Sequence, residues 1–103
     1  MASADEGKRV RRFHAIVKGR VQGVGFRYET QAKAQALRVG GYVRNRWDGS
    51  VEVVAQGVEG AVGELLTWLH RGPRVAHVER VQVTWQTPVG DNPDTVPGFE
   101  VRF

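Results

Sequence analysis

Gly19-Arg20-Val21-Gln22-Gly23-Val24-Gly25-Phe26-Arg27 places three glycines and two arginines in nine consecutive positions. The stretch follows an apolar run and precedes a segment with helical spacing. Glycine accepts positive φ and lets the backbone approach a ligand closely, so successive N–H groups can converge on one anion. The start of the following helix adds unpaired N–H groups and partial positive charge. The stretch therefore has the features of an anion-binding loop.

Arg27 would lie in the first turn of that helix. A cation is unfavourable there unless an anion lies between it and the positive end of the helix. Its guanidinium stays charged and offers a planar fork of donors that can bind two phosphoryl oxygens. A short glycine-rich loop is weakly specific, however, and the same residues could form a tight surface turn with a solvated Arg27. Composition alone leaves both interpretations open.

Size and composition restrict the class of protein. With 103 residues we expect one domain, residues 12–103, after a loose tail, residues 1–11, that lacks periodicity. There is no cysteine, which excludes disulfides and thiol nucleophiles. No stretch has the roughly 20 apolar residues of a membrane span, and the N-terminus does not resemble a secretory signal. We therefore expect a cytoplasmic protein without a membrane partner, and the net charge of +4 favours anionic partners in general.

The chain alternates between segments with strand and helix patterns. Alternating apolar residues predict strands over 13–18, 42–47, 51–56, 78–85 and 99–103. Apolar residues three and four positions apart predict helices over 26–39 and 57–71. Asp48-Gly49 predicts a tight hairpin turn, and residues 86–98 hold three of the four prolines and predict a loop.

This order of elements is βαββαβ with a short additional strand at the end. One hairpin in the middle of such a chain is most simply accommodated by an antiparallel sheet that carries both helices on one face. We therefore predict an α+β, ferredoxin-like sandwich with a short C-terminal extra strand.

Several phosphate-handling chemistries are excluded by the residues. No Walker A sequence is present, and a dinucleotide fingerprint would need glycine at the position of Tyr28. His14, His70 and His77 lack the spacing of metal ligands, so we predict neither a metal nor a cofactor. The loop, Arg27 and polar residues on neighbouring strands are then the groups left for chemistry.

Asn45 is the polar residue of interest on the strand 42–47. It shares a face with Val43, so its amide would point inward, where it needs hydrogen-bond partners. It could satisfy a backbone group at the end of the sheet. Alternatively, it could hold a water molecule beside an anion bound to the loop.

Two motifs of this chain resemble those of the acylphosphatase family. The loop stretch is similar to the family motif Gly-x-Val-Gln-Gly-Val-x-Phe-Arg, and Gly41-Tyr42-Val43-Arg44-Asn45 resembles the second motif, Gly-x-Val-x-Asn. The Asp-Gly-Ser hairpin, the Gly72-Pro73 helix stop and the closing residues 99–103 agree as well, so the likeness covers about residues 12–103. Two motifs at matching separation are more specific than either alone and favour the anion-binding interpretation.

The resemblance implies a ferredoxin-like fold and hydrolysis of acyl phosphates, such as acetyl phosphate, to a carboxylate and phosphate without metal or cofactor. By position, Arg27 would bind the phosphate and Asn45 would orient the attacking water. The expected partners are a small acyl phosphate, and inorganic phosphate as product or inhibitor, with the chain as a monomer. Substrate preference would depend on the pocket rim, where Trp47, Arg46 and Arg20 are candidates. The residues expected to contact phosphate are Gly19, Arg20, Val21, Gln22, Gly23, Val24, Gly25, Phe26 and Arg27.

Two alternative functions belong to other classes. RNA-binding modules of this topology stack bases on aromatic residues of the third strand, and residues 51–55 contain none, so nucleic-acid binding is not expected. Acylphosphatase-like domains also occur at the start of larger carbamoyl-transfer proteins, where they act on carbamoyl phosphate. The chain ends at Phe103 without a further domain, and we expect a free-standing enzyme.

Overall fold

The computed structural model describes residues 9–90 and 98–103. The elements of these residues follow the predicted order, which confirms the ferredoxin-like βαββαβ arrangement with an additional strand. They are β1 (Val10–Arg20), α1 (Phe26–Ala36), β2 (Gly40–Asn45), β3 (Val51–Val58), α2 (Glu59–Arg71), β4 (His77–Gln86) and β5 (Phe99–Arg102).

The five strands form one sheet in the order β4-β1-β3-β2-β5. The pairs β1–β4, β1–β3 and β2–β3 are antiparallel, but β5 runs parallel to β2, with Val43 opposite Val101. The four strands of the βαββαβ unit are therefore antiparallel, as predicted, and the short extra strand, whose place the sequence left open, makes the sheet mixed. Strand β4 is antiparallel to β2, and β5 runs opposite to β4, so β5 lies parallel to β2 at the far edge of the sheet.

The core lies between one face of the sheet and the two helices. Alternate residues of the central strand β1, namely Phe13, Ala15 and Val17, are completely buried on this face. They pack in one cluster with residues of both helices, among them Phe26 and Leu65. Burying a side chain of this size contributes about 1.5–3 kcal/mol, so the alternation along β1 fixes which face of the sheet receives the helices.

Several element boundaries differ from the predictions by two or three residues. Helix α1 ends at Ala36 rather than at residue 39, because Arg38 takes the left-handed conformation (φ 58°) and the Val39 N–H donates to the Ala34 carbonyl at 2.8 Å. Strand β3 continues to Val58, so α2 begins later than predicted. Of these two helices, neither has the length and apolar character that crossing a membrane requires.

The predicted tail and the predicted proline-rich loop are only partly described. Residues 1–8 lie outside the described residues, whereas Val10 and Arg11, which the sequence assigned to the tail, belong to β1 because they pair with Val58 and Gly57. Most of the predicted loop 86–98 also lies outside the described residues, and its first residue, Gln86, ends β4.

Glycine is required at the point where β1 turns into the loop. Gly19 has a φ of 132°, and a Cβ atom there would lie 2.1 Å from the His77 carbonyl oxygen. The register between β1 and β4 shifts between Lys18 and Gly19, directly before the loop. The close approach of the two backbones therefore sets the place where the chain leaves the sheet.

Candidate active site

The loop after β1, the first turn of α1 and the end of β2 enclose a small pocket of about 90 Å³. Arg27 comes from the helix and Asn45 from the strand, so the fold brings both predicted catalytic residues to one place. The pocket is lined by Val21, Gly23, Gly25, Phe26, Arg27, Tyr28 and Asn45.

The start of α1 leaves its backbone donors available to a ligand. Gly25 is the N-cap residue in the left-handed conformation (φ 77°, ψ 14°) and makes no side-chain capping bond. The first helical hydrogen bond runs from the Glu29 N–H to the Gly25 carbonyl at 3.0 Å. Within residues 9–90 and 98–103, the N–H groups of residues 22–25 donate to no backbone carbonyl. An anion in the pocket would meet unpaired donors and the positive end of the helix.

Gln22 ties the loop to the hairpin between β2 and β3. Its Nε2 donates to the Arg46 carbonyl at 2.7 Å and to the Ser50 carbonyl at 2.8 Å. These two residues flank the hairpin turn, in which the Arg46 N–H donates to the Ser50 carbonyl at 2.8 Å. Because Asn45 directly precedes Arg46, Gln22 fixes the distance between the loop and Asn45.

The Arg27 guanidinium is held by the end of the chain at β5. Its Nη1 donates to the Arg102 carbonyl at 3.2 Å, and its Cζ lies 4.7 Å from the centre of the Phe103 ring. One edge of the guanidinium is thereby restrained, and its other N–H groups make no hydrogen bond to any residue that the structure describes, which leaves a planar donor fork beside the loop.

Asn45 lines the pocket at the end of β2, on the same face as the buried Val43. Among the described residues its side-chain amide has no hydrogen-bond partner, although the alternative from the sequence was that it satisfies a nearby backbone group. The amide is half-buried, so it can both donate and accept toward a molecule in the pocket.

Arg44 and Glu52 secure β2 from the other face of the sheet. Glu52 is only 8% exposed and accepts hydrogen bonds from the Arg44 Nε and, at 2.8 Å, from the His14 Nε2. Burial alone would raise the pKa of Glu52, but the hydrogen bonds from His14 and Arg44 outweigh burial and hold its pKa below the ordinary value. The carboxylate is therefore ionised at neutral pH and links three strands next to Asn45.

The tip of the hairpin has its own internal bonds. The Ser50 hydroxyl donates to the Asp48 Oδ1 at 2.5 Å, and the Ser50 N–H donates to the same atom at 3.0 Å. These two bonds are the main reason that the pKa of Asp48 lies below its ordinary value. These bonds define the turn that follows Asn45 at the end of β2.

Four of the nine predicted phosphate contacts do not line the pocket. Gly19 and Arg20 still belong to β1. Gly19 lines a different surface pocket, of about 340 Å³, between the end of β1 and the hairpin turn. The Gln22 side chain turns to the hairpin, and Val24 packs against the core. The other five predicted residues, Val21, Gly23, Gly25, Phe26 and Arg27, do line it.

Sequence reasoning missed two aromatic residues near the pocket. Tyr28 lines it, and Phe103 lies against the Arg27 guanidinium. The candidates proposed for the rim, Trp47, Arg46 and Arg20, are not among the lining residues. Tyr28 directly follows the motif arginine, and that adjacency was the available signal; the approach of Phe103 depends on where β5 pairs, which the sequence did not reveal.

Metal-ligating side chains are not gathered at this site. In the described part of the chain, no three His, Asp or Glu side chains lie together as ligands of one ion would. The lining residues offer backbone donors, one guanidinium and one amide, which is a donor set suited to an anion rather than a cation.

Comparison with known proteins agrees with the two motifs and the fold. The family model described as Acylphosphatase matches residues 13–101. The chain is 49% identical over 102 residues to an acylphosphatase of Rubrobacter xylanophilus, covering 99% of this chain and 86% of that protein. It is 48% identical over 79 residues to an acylphosphatase of Chloroflexus aurantiacus, covering 77% and 86%. The crystal structure of acylphosphatase from Bacillus subtilis superposes with a TM-score of 0.81 at 33% identity, covering 92% of this chain and all of that one. The chain therefore belongs to the acylphosphatase family.

Proposed function

We propose that this protein hydrolyses the carboxyl-phosphate anhydride bond of acyl phosphates, releasing a carboxylate and inorganic phosphate without a metal ion or cofactor. The observation that carries the proposal is the convergence of unpaired loop donors, Arg27 and Asn45 on one pocket of about 90 Å³. Membership of the acylphosphatase family supports the same reaction.

The loop and Arg27 bind the phosphoryl group in this proposal. Phosphoryl transfer through a loose transition state spreads negative charge over the equatorial oxygens, so catalysis depends mainly on positioning and on preorganised donors. The N–H groups around Gly23 and Gly25 supply such donors, and the Arg27 fork is already restrained by its contacts with β5. These groups need no rearrangement when the charge develops.

Asn45 orients the attacking water. Its amide accepts a hydrogen bond from the water, whose oxygen then forms a bond to phosphorus while the bond from phosphorus to the acyl oxygen breaks. None of the residues that line the pocket is a carboxylate or a histidine, so a phosphoryl oxygen of the substrate takes the proton of the water.

The leaving group explains why so few residues suffice. A carboxylate has a conjugate acid with a pKa of about 4, so it departs at neutral pH without a general acid. The bond electrons stay on the acyl oxygen, and the products are the carboxylate and phosphate. One chain supplies every group in the scheme, which is consistent with action as a monomer.

The test is release of phosphate from acetyl phosphate in the presence of a chelator, with inorganic phosphate as a competitor. We expect turnover by the wild-type chain that the chelator does not reduce, competitive inhibition by phosphate, and loss of turnover in Arg27→Ala. Turnover that the chelator abolishes and an added divalent ion restores would contradict the metal-free mechanism. No turnover with acetyl, benzoyl or carbamoyl phosphate would contradict the proposed reaction itself.

Carbamoyl phosphate belongs in the same assay because the sequence left a carbamoyl-phosphate-handling domain as an alternative. The Rubrobacter xylanophilus relative and the Bacillus subtilis structure are both named acylphosphatase, which supports acyl phosphates in general. Turnover confined to carbamoyl phosphate would favour the alternative.

A further inference from the structure

We infer that Glu52 is a positioning residue for Asn45, although Glu52 does not line the pocket. Its carboxylate holds Arg44, the residue that directly precedes Asn45 in β2, and is itself held by His14 in β1. This inference rests on the proposed function, because it concerns how the side chain that orients the attacking water is kept in place.

Glu52 lies in the middle of the sheet. It belongs to β3, the central strand, and its register partners are Arg44 in β2 and Ile16 in β1. Val51 and Val53, on either side of it in the chain, are completely buried against the helices. The Glu52 side chain therefore projects from the other face of the sheet, where it reaches both neighbouring strands.

The carboxylate makes a separate contact with each of these strands. Its Oε1 accepts a hydrogen bond from the Arg44 Nε, and its Oε2 accepts one from the His14 Nε2 at 2.8 Å. The Glu52 side chain is only 11% exposed, whereas that of Arg44 is 50% exposed. Burying a carboxylate costs free energy, and replacing a buried ion pair by apolar residues is often neutral for stability. Stability alone therefore does not account for Glu52, whose two directional contacts fix the position of β2 relative to β3 and β1.

Asn45 depends on its neighbours in the chain for its orientation. It is the last residue of β2, and among the described residues its amide has no hydrogen-bond partner. The residue before it, Arg44, is held by Glu52 on the other face of the sheet. The carbonyl of the residue after it, Arg46, accepts a hydrogen bond from Gln22 at 2.7 Å. The backbone that carries the amide is thus anchored on both sides.

The experiment measures kcat for acetyl phosphate and the inhibition constant of inorganic phosphate in Glu52→Leu. The leucine removes the buried carboxylate and leaves Arg44, which is half-exposed, to be hydrated. We expect kcat to fall about 10-fold while the inhibition constant changes less than about twofold. A slightly misplaced catalytic group lowers the rate of the chemical step, whereas the donors that bind phosphate are retained.

A double-mutant cycle with Asn45 tests whether Glu52 acts through that residue. In Asn45→Ala the side chain to be positioned is missing, so adding Glu52→Leu should change the remaining kcat by less than about twofold. An equal fall of about 10-fold in both backgrounds would overturn the inference, because Glu52 would then act on another part of the site.

Gln56→Leu is the matched control. Gln56 lies on the same strand and the same face as Glu52, has the same exposure of 8%, and pairs with the backbone of Val89 at 2.6 Å and 2.9 Å. It lies at the other end of β3 from the residues that pair with Arg44 and Asn45. The control should lower the Tm, measured by thermal unfolding, and keep the wild-type kcat.

The outcomes separate the inference from the function on which it depends. A wild-type kcat in Glu52→Leu overturns the positioning role and leaves the proposed function intact. A loss of phosphate affinity as large as the fall in kcat also overturns it, because the disturbance would then lie at the phosphate-binding groups. Absence of turnover with acetyl, benzoyl and carbamoyl phosphate in the wild-type chain overturns the proposed function and the inference with it. Thermal melting identifies a loss of fold, and Arg44→Met combined with Glu52→Leu, which leaves no unpaired arginine, provides the result if Glu52→Leu does not fold.

Discussion

Replacement of Gln22 by alanine should weaken both the fold and the turnover of this protein. The side chain makes two hydrogen bonds, at 2.7 Å and 2.8 Å, to the carbonyls of Arg46 and Ser50. Each contributes about 0.5–1.5 kcal/mol net. Both acceptors keep a backbone donor, since the Gly49 N–H donates to Arg46 at 3.2 Å and the Arg46 N–H to Ser50 at 2.8 Å. Both carbonyls therefore keep a hydrogen bond in the variant. We expect Gln22→Ala to lower the free energy of unfolding by about 1–2 kcal/mol, the lower part of the summed range.

That loss corresponds to a decrease in Tm of about 4–16 °C, because 1 kcal/mol shifts the Tm of a domain of this size by about 4–8 °C. Turnover should fall for a separate reason. Without Gln22 the hairpin is no longer tied to the loop, so Asn45 loses its fixed distance from the bound phosphoryl group. We expect kcat to fall by about 10-fold or more, with a smaller change in KM. A misplaced catalytic group lowers the rate of the chemical step more than it lowers the affinity for substrate.

The measurements are thermal unfolding by circular dichroism and steady-state kinetics well below the Tm of the variant. Gln31→Ala is the matched control, because Gln31 makes one comparable bond, from its Nε2 to the Phe99 carbonyl at 3.0 Å, away from the pocket. The control should lose about half as much stability and keep its kcat. A Gln22→Ala variant that melts within about 2 °C of the wild type and turns over normally would refute the coupling of loop and hairpin.

Four further predictions concern the pocket and its supports. Arg27→Lys should be nearly as inactive as Arg27→Ala, within about threefold in kcat/KM, because an ammonium cannot reproduce the planar fork; near-normal activity of the lysine variant would contradict this. Asn45→Ala should lower kcat about 10²-fold or more while the inhibition constant of phosphate is unchanged; loss of phosphate inhibition would instead make Asn45 a structural residue. The depressed pKa of Glu52 stabilises the fold above the unfolded pKa of about 4.3, and this contribution is lost as the pH falls through the folded value. Unfolding from pH 6 to pH 3 should therefore show a flatter pH dependence in Glu52→Gln, and an identical slope would speak against the ion pair. Gly41→Ala should cost at least about 3 kcal/mol, measured by urea unfolding, because its Cβ would lie 1.9 Å from a carbonyl oxygen of β3 at a φ of 136°. Gly23→Ala, with open space around it, serves as its control at about 1 kcal/mol.

The sequence predicted the elements well because their signals are local. Alternation along β1 and the helical spacing of α2 depend on burial of one face, and the structure confirms both. The end of α1 was less predictable, because the helix ends at Ala36, shortly before a left-handed Arg38, rather than at the glycine pair that follows. The partner of β5 was not predictable from local signals, since edge pairing depends on how the chain crosses the sheet between residues 86 and 99.

Two central residues of the candidate site could be named from the sequence, but the contacts that hold them in position could not. Arg27 and Asn45 could be named from their motifs, and the fold brings them to one pocket. The role of the Gln22 side chain could not be inferred, because its partners are backbone carbonyls, which look the same in every sequence. The contact of Arg27 with Phe103 joins residues distant in the chain, and it became visible only once the position of β5 was known.

The glycine at the N-cap of α1 limits how the thermal stability of this protein can be raised. Serine or aspartate at a helix start normally strengthens a domain by supplying an internal acceptor for the first amides. At Gly25 such an acceptor would occupy the donors to which the proposed mechanism assigns a substrate oxygen, and the backbone there has a φ of 77°. A substitution at Gly25 that is chosen only for helix capping would therefore raise the thermal stability and lower the activity.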